Sequence, residues 1–205
     1  MRIHGITQTL ILKVVYYGPG MSGKTTNLQQ LHALVPEQVR GKLVQLDTDT
    51  ERTLFFDYFP LTLGRLGRYS LRVHFFTVPG QSFYNATRRT VLQGADGIVF
   101  VADSAASREQ ANLVAYRNML SNLRDLGQDP AETPLVFQWN KRDAKDALPV
   151  PLMEKLLNPT GCPSVSAVAR NGEGVQLTQA HIVQEVMRRL RGGKIGTNLE
   201  AVSRV

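Results

Sequence analysis

The stretch Gly18-Pro19-Gly20-Met21-Ser22-Gly23-Lys24-Thr25 constrains the architecture of this chain most. It fits the pattern G-x-x-x-x-G-K-[ST]. It follows an apolar run from Leu10 to Tyr17, broken only by Lys13, and leads into Leu28, Leu31 and Val35 at helical spacing. A buried strand turning on glycines into a helix is the setting in which this pattern wraps phosphates. Glycines let the backbone approach closely, and amide N–H groups at the helix N-terminus face negative charge. Gly18, Gly20, Met21, Ser22, Gly23, Lys24, Thr25 and Thr26 are therefore expected to line a nucleotide's phosphates. Lys24 would bridge the outer ones, and the Thr25 hydroxyl would take Mg²⁺.

The rest of the chain repeats strand and helix. Residues 54–59 and 71–78 read as strands joined by a turn around Gly64 and Gly67, Gly97 to Ala102 as a buried strand, and Leu135 to Trp139 and Ser164 to Ala169 as two more. Tyr116, Met119, Leu120 and Leu123 form a helix face, as do Val183, Val186, Met187 and Leu190 before Gly192-Gly193. This alternation, with the phosphate-loop pattern, predicts an α/β fold: a three-layer P-loop NTPase sandwich with a mostly parallel central sheet, one antiparallel strand from the 54–78 hairpin at the sheet's edge, and helices on both faces. One domain is expected over 1–193, followed by a polar, disordered tail at 194–205.

Among 205 residues, 42% are hydrophobic and 20% charged, which supports one domain with a real core. No apolar run is long enough to span a membrane or to serve as a secretory signal. Cys162 is the only cysteine, so no intrachain disulfide forms and a cytoplasmic location is expected. Arg2 replaces the glycine that myristoylation needs, and the C-terminus carries no prenylation cysteine, so no lipid anchor is expected. The net charge of +7 gathers where Tyr58 to Ala95 lacks any acid but holds Arg65, Arg68, Arg72, Arg88 and Arg89. Such a run is a solvated face or a dock for an acidic partner. Its basic and aromatic residues do not interleave in the RNA-binding pattern, so it does not read as a nucleic-acid surface.

Further motifs fall at strand ends. In Asn140-Lys141-Arg142-Asp143, the Asp143 carboxylate matches the two donors that guanine presents and adenine lacks. Asn140 would brace nearby loops, and the Lys141 stem would lie on the base. Val168-Ala169-Arg170 stands further on, where the Ala169 N–H could meet a base oxygen. In Pro79-Gly80-Gln81, the Gly80 N–H could turn onto a γ-phosphate and Gln81 could orient water. Thr53 could reach the γ-phosphate and Mg²⁺, and Arg52 beside it could lend positive charge. The loop that usually opens on a metal-holding aspartate opens here on Thr77, whose hydroxyl can hold only a metal-bound water.

The segments VVYYGPGMSGKTTNLQ, ERTLFFDYFP, FFTVPGQSFYNATRR, GADGIVFVADS and NKRD resemble the small Ras-like GTPases, and more closely their bacterial MglA group, over about residues 12–191. Threonine at position 77 is typical of that group. The resemblance implies a GTP/GDP switch with Mg²⁺ that controls cell polarity or gliding motility. It also implies a dimeric MglB-like roadblock partner that stimulates slow intrinsic hydrolysis without inserting an arginine, polar effector proteins, and recruitment to a cell pole. It assigns catalysis to Arg52 and Gln81, with Lys24. Two other functions stay open at this point: a GTP-binding scaffold with negligible hydrolysis, and a P-loop ATP-dependent enzyme.

Overall fold

The computed structural model describes residues 2–4, 8–46, 56–80 and 84–192. The central strand β2 (Thr9–Tyr17) follows a short β1 (Arg2–His4) and runs through the phosphate loop into helix α1 (Lys24–Leu34). Then come β3 (Val44–Leu46), β4 (Phe56–Leu66), β5 (Tyr69–Thr77), α2 (Asn85–Leu92), β6 (Gly97–Asp103) and α3 (Glu109–Asp125). The chain closes with β7 (Leu135–Asn140), α4 (Val150–Leu157), β8 (Ser164–Ser166) and α5 (Val175–Gly192). The sheet order is β3-β4-β5-β2-β6-β7-β8, with β1 paired antiparallel to the start of β2. On that path only β4 runs against the others, as the hairpin predicted.

Side-chain alternation along β2 builds both halves of the core. Leu12, Val14 and Tyr16 join Leu28, Leu31, Ile182 and Val186 under α1 and α5. Val15 and Tyr17 join Leu92, Met119, Leu123 and Trp139 under α2, α3 and α4. Strands buried on both faces cannot alternate polar with apolar, which is why β6 and β7 are buried at every position. No described helix is long and apolar enough to cross a membrane.

Several boundaries differ from expectation. The hairpin turns at Gly67-Arg68, and Gly64 lies inside β4, where the pairing slips between Thr62 and Gly64. That slip is a bulge, a place where glycine sits readily in a strand. The antiparallel β4 lies inside the sheet, because the three-residue β3 covers its outer edge. The last strand ends at Ser166, before a 3-10 turn at Ala169–Asn171. Residues 54 and 55 of the expected strand, and the tail at 194–205, lie outside the described residues.

Candidate nucleotide site

The phosphate loop joins the end of β2 to the start of α1. Gly18 has φ +146°, and a Cβ there would lie 2.2 Å from the Val101 carbonyl oxygen; Gly23 has φ +101°, and a Cβ there would lie 2.2 Å from Asn140 Nδ2. Both positions require glycine. The first turn of α1 contains no acid of its own, so its free N–H groups are left for an anionic ligand. Lys24 is 7% exposed, and its Nζ donates to the carbonyls of Gly18 (3.1 Å) and Pro19 (2.7 Å). Burial, and secondarily the charge of Arg88, push its pKa down to about 7, while Asp57 pulls the other way. Anionic phosphates in the cleft would favour the charged ammonium.

A cleft of about 330 Å³ lies against Gly18 and Gly20, and two more share the Met21 side of this loop. One, of about 670 Å³, runs from Met21, Gly23 and Lys24 past Thr25 to Asp57, Thr77 and Gly80. The other, of about 280 Å³, holds Asn140, Lys141, Asp143, Val168, Ala169 and Arg170. Both include Met21, Gly23 and Thr26, so a phosphate-sized and a base-sized recess share one wall.

Asn140 joins them. Its Nδ2 donates to the Ser22 carbonyl at 2.8 Å, and its Oδ1 accepts the Ala169 N–H at 2.9 Å. Lys141 takes a positive φ of 62° and reaches the buried Asp103 at 2.7 Å. Asp103 also draws in Arg108, whose Nη2 donates to the Gly20 carbonyl at 2.7 Å. The Asp143 carboxylate faces solvent beside Arg170, 2.9 Å away.

On the other side of the phosphate loop, Pro79-Gly80 packs backbone to backbone on it. A Cβ on Gly80 would lie 2.3 Å from Gly20 Cα. Below, the Thr25 hydroxyl donates to Asp57 Oδ2 at 2.6 Å, and the Thr77 hydroxyl donates to the same oxygen at 2.8 Å. Two hydroxyls and a carboxylate are hard oxygen donors of the kind Mg²⁺ accepts, so the corner fits that ion.

No protein-family model matches the chain. It is 46% identical over 181 residues to the mutual gliding-motility protein MglA of Myxococcus xanthus (strain DK1622), a match covering 88% of this chain and 93% of that protein. The chain belongs to the MglA family.

For this MglA-family member the structure gathers Met21, Gly23 to Thr26, Thr77 and Gly80 at one cleft, and Asn140, Lys141, Asp143, Val168 and Ala169 at the next, while Gly18 and Gly20 line a third recess with Arg88 and Arg108, and Ser22 is buried. The Ala169 N–H expected for a base oxygen is donated to Asn140. Arg52, Thr53 and Gln81 lie outside the described residues. Two side chains beside the phosphate loop escaped the sequence. Asp57 was legible only as part of ERTLFFDYFP, because its role depends on which residue lies across the hairpin. Arg88 read as part of a basic face but is buried, donating to Asn118 Oδ1 at 2.9 Å and to the Pro79 carbonyl at a long 3.4 Å. Arg89 pairs with Asp125 but stays exposed, as do Arg65, Arg68 and Arg72.

Proposed function

We propose that this chain is a GTP/GDP switch that controls cell polarity or gliding motility. It would hydrolyse GTP slowly alone and faster with a dimeric, MglB-like roadblock partner. Its relative's name supplies the motility setting. The observation that carries the chemistry is the Asn140 bridge, which ties a base recess containing Asp143 to the phosphate loop. Asp143 matches the N1 and 2-amino donors of guanine, which argues against an ATP-dependent enzyme.

The phosphate-loop amides and the N-terminus of α1 hold the phosphates, and Lys24 turns from the loop carbonyls to the outer ones. Thr25, with Thr53 in the GTP form, would hold Mg²⁺, and Thr77 would hold one of its waters. When bound, that ion adds fixed positive charge beside the phosphate oxygens. Gln81 orients the attacking water, and Arg52 offsets negative charge as it grows on the phosphoryl oxygens. The partner fixes these two residues rather than donating one of its own. The protein works in the cytoplasm and reaches a pole through that partner and polar effectors.

Single-turnover GTP hydrolysis, with and without the roadblock protein, tests this function. Arg52→Ala and Gln81→Leu should each keep nucleotide binding and lose about 10³-fold of the stimulated rate, the worth of a well-placed arginine. Native-like stimulation of Arg52→Ala would show that the partner brings its own arginine. A native rate no higher with partner than without would leave a GTP-binding scaffold.

A further inference from the structure

The strand that leads into the second phosphate loop ends on a neutral hydroxyl, Thr77, but its neighbour carries a buried acid. The hairpin register pairs Tyr58 with Phe76, so Asp57 and Thr77 are the next opposed positions. The Asp57 N–H donates to Thr77 Oγ1 at 2.8 Å, and the Thr77 hydroxyl donates back to Asp57 Oδ2 at 2.8 Å. This closed pair fixes the carboxylate toward α1, where Oδ2 also accepts the Thr25 hydroxyl at 2.6 Å. Gln45 Nε2 approaches Oδ1 at 3.3 Å.

Asp57 is 8% exposed; the Lys24 charge acts on it at longer range, but no basic side chain among the described residues forms an ion pair with it. Buried carboxylates are normally paired with a cation or a metal, because hydroxyl donors alone do not offset the loss of hydration. This one lines the phosphate cleft beside the threonine of the G-x-x-x-x-G-K-[ST] pattern.

We infer that Asp57, reaching across from β4, supplies the carboxylate of the Mg²⁺ site that Thr77 does not, with Thr77 as its positioning residue. The inference rests on the nucleotide site proposed above. The acid has moved from the end of one strand to the opposed position on its hairpin neighbour, so its charge stays in the same corner. Mg²⁺ keeps several of its waters and needs few protein oxygens, so one carboxylate arriving from a different strand suffices.

The test follows release of a fluorescent GDP from the full chain as free Mg²⁺ is varied. Asp57→Asn should retain GDP in EDTA as the native protein does, but need about 10- to 100-fold more Mg²⁺ for half-maximal retention, the usual loss when an acid supporting a metal site is removed. Asp57→Asn combined with Thr77→Asp puts a carboxylate back in the corner and should recover most of the Mg²⁺ response. An unchanged Mg²⁺ midpoint in Asp57→Asn would overturn the assignment. So would a tighter one, because the carboxylate would then be competing with the ion. Thr77→Asp alone keeps Asp57 and does not depend on the folding of the Asn variant. Its two adjacent carboxylates should lower the melting temperature in EDTA and give a larger Mg²⁺-induced rise than in the native protein; native-like melting in EDTA would count against Asp57 facing this corner. Comparing GDP with ADP in EDTA scores base choice separately, and the Mg²⁺ titration scores Asp57 with whichever diphosphate binds.

Discussion

The site has two corners built by different means. At the base corner, the neutral Asn140 side chain bonds two backbone groups, one in the phosphate loop and one beyond β8. At the metal corner, Thr25, Thr77 and Gln45 surround the buried charge of Asp57. A neutral side chain paired to backbone on both sides is satisfied within the fold, so the base recess is shaped before a ligand arrives. A buried carboxylate held by two hydroxyls and one long amide contact, with no ion-pair partner among the described residues, is not, so its energy depends on the cation it meets. Under the proposed function this divides the labour: the base corner would set which nucleotide binds, and the metal corner would respond to the ion and phosphates that come with it.

The largest effect should come from Asp143→Asn, which removes the acceptor for guanine's paired donors while leaving the metal corner intact. Competition between GDP and xanthosine diphosphate should show GDP weakened by up to about 10⁴-fold and the xanthine form preferred. Little change would mean that the phosphate end carries the affinity and base choice lies elsewhere.

A middling effect is expected from Asn140→Ala. The Ala169 N–H and the Ser22 carbonyl would lose their partner, costing about 1–3 kcal/mol in denaturant unfolding for each buried group left unpaired. This should appear without Mg²⁺ and without nucleotide, because the brace belongs to the fold. If stability fell only when nucleotide was present, the base corner would be assembled by the ligand and the contrast with the metal corner would vanish.

The smallest effect belongs to Arg170→Ala. The Arg170–Asp143 pair is largely solvent-exposed on the arginine side, and such pairs contribute less than about 1 kcal/mol. Unfolding should barely move, and GDP affinity should hold or rise slightly as the carboxylate is freed. A clear loss of affinity would instead make Arg170 the residue that aims Asp143 at the base.

The sequence by itself determined the fold class, the phosphate loop and the base motif. Each is written in neighbouring residues: Gly18 to Thr25 bends one strand into one helix, and Asn140 to Asp143 leaves the end of one strand. Local spacing carries that information because the backbone conformation at those positions admits few residue types, as the positive φ angles of Gly18 and Gly23 show. The tertiary structure alone decided the metal corner and the place of Arg88. Asp57 faces Thr77 only through the hairpin register, and a slip of one residue would turn it to the other face of the sheet. Arg88 read as surface charge because α2 presents it to Asn118 and Pro79, partners that no spacing along the chain announces. Contacts within a turn are fixed by the order of residues, whereas contacts between elements depend on which strand pairs with which and in what register.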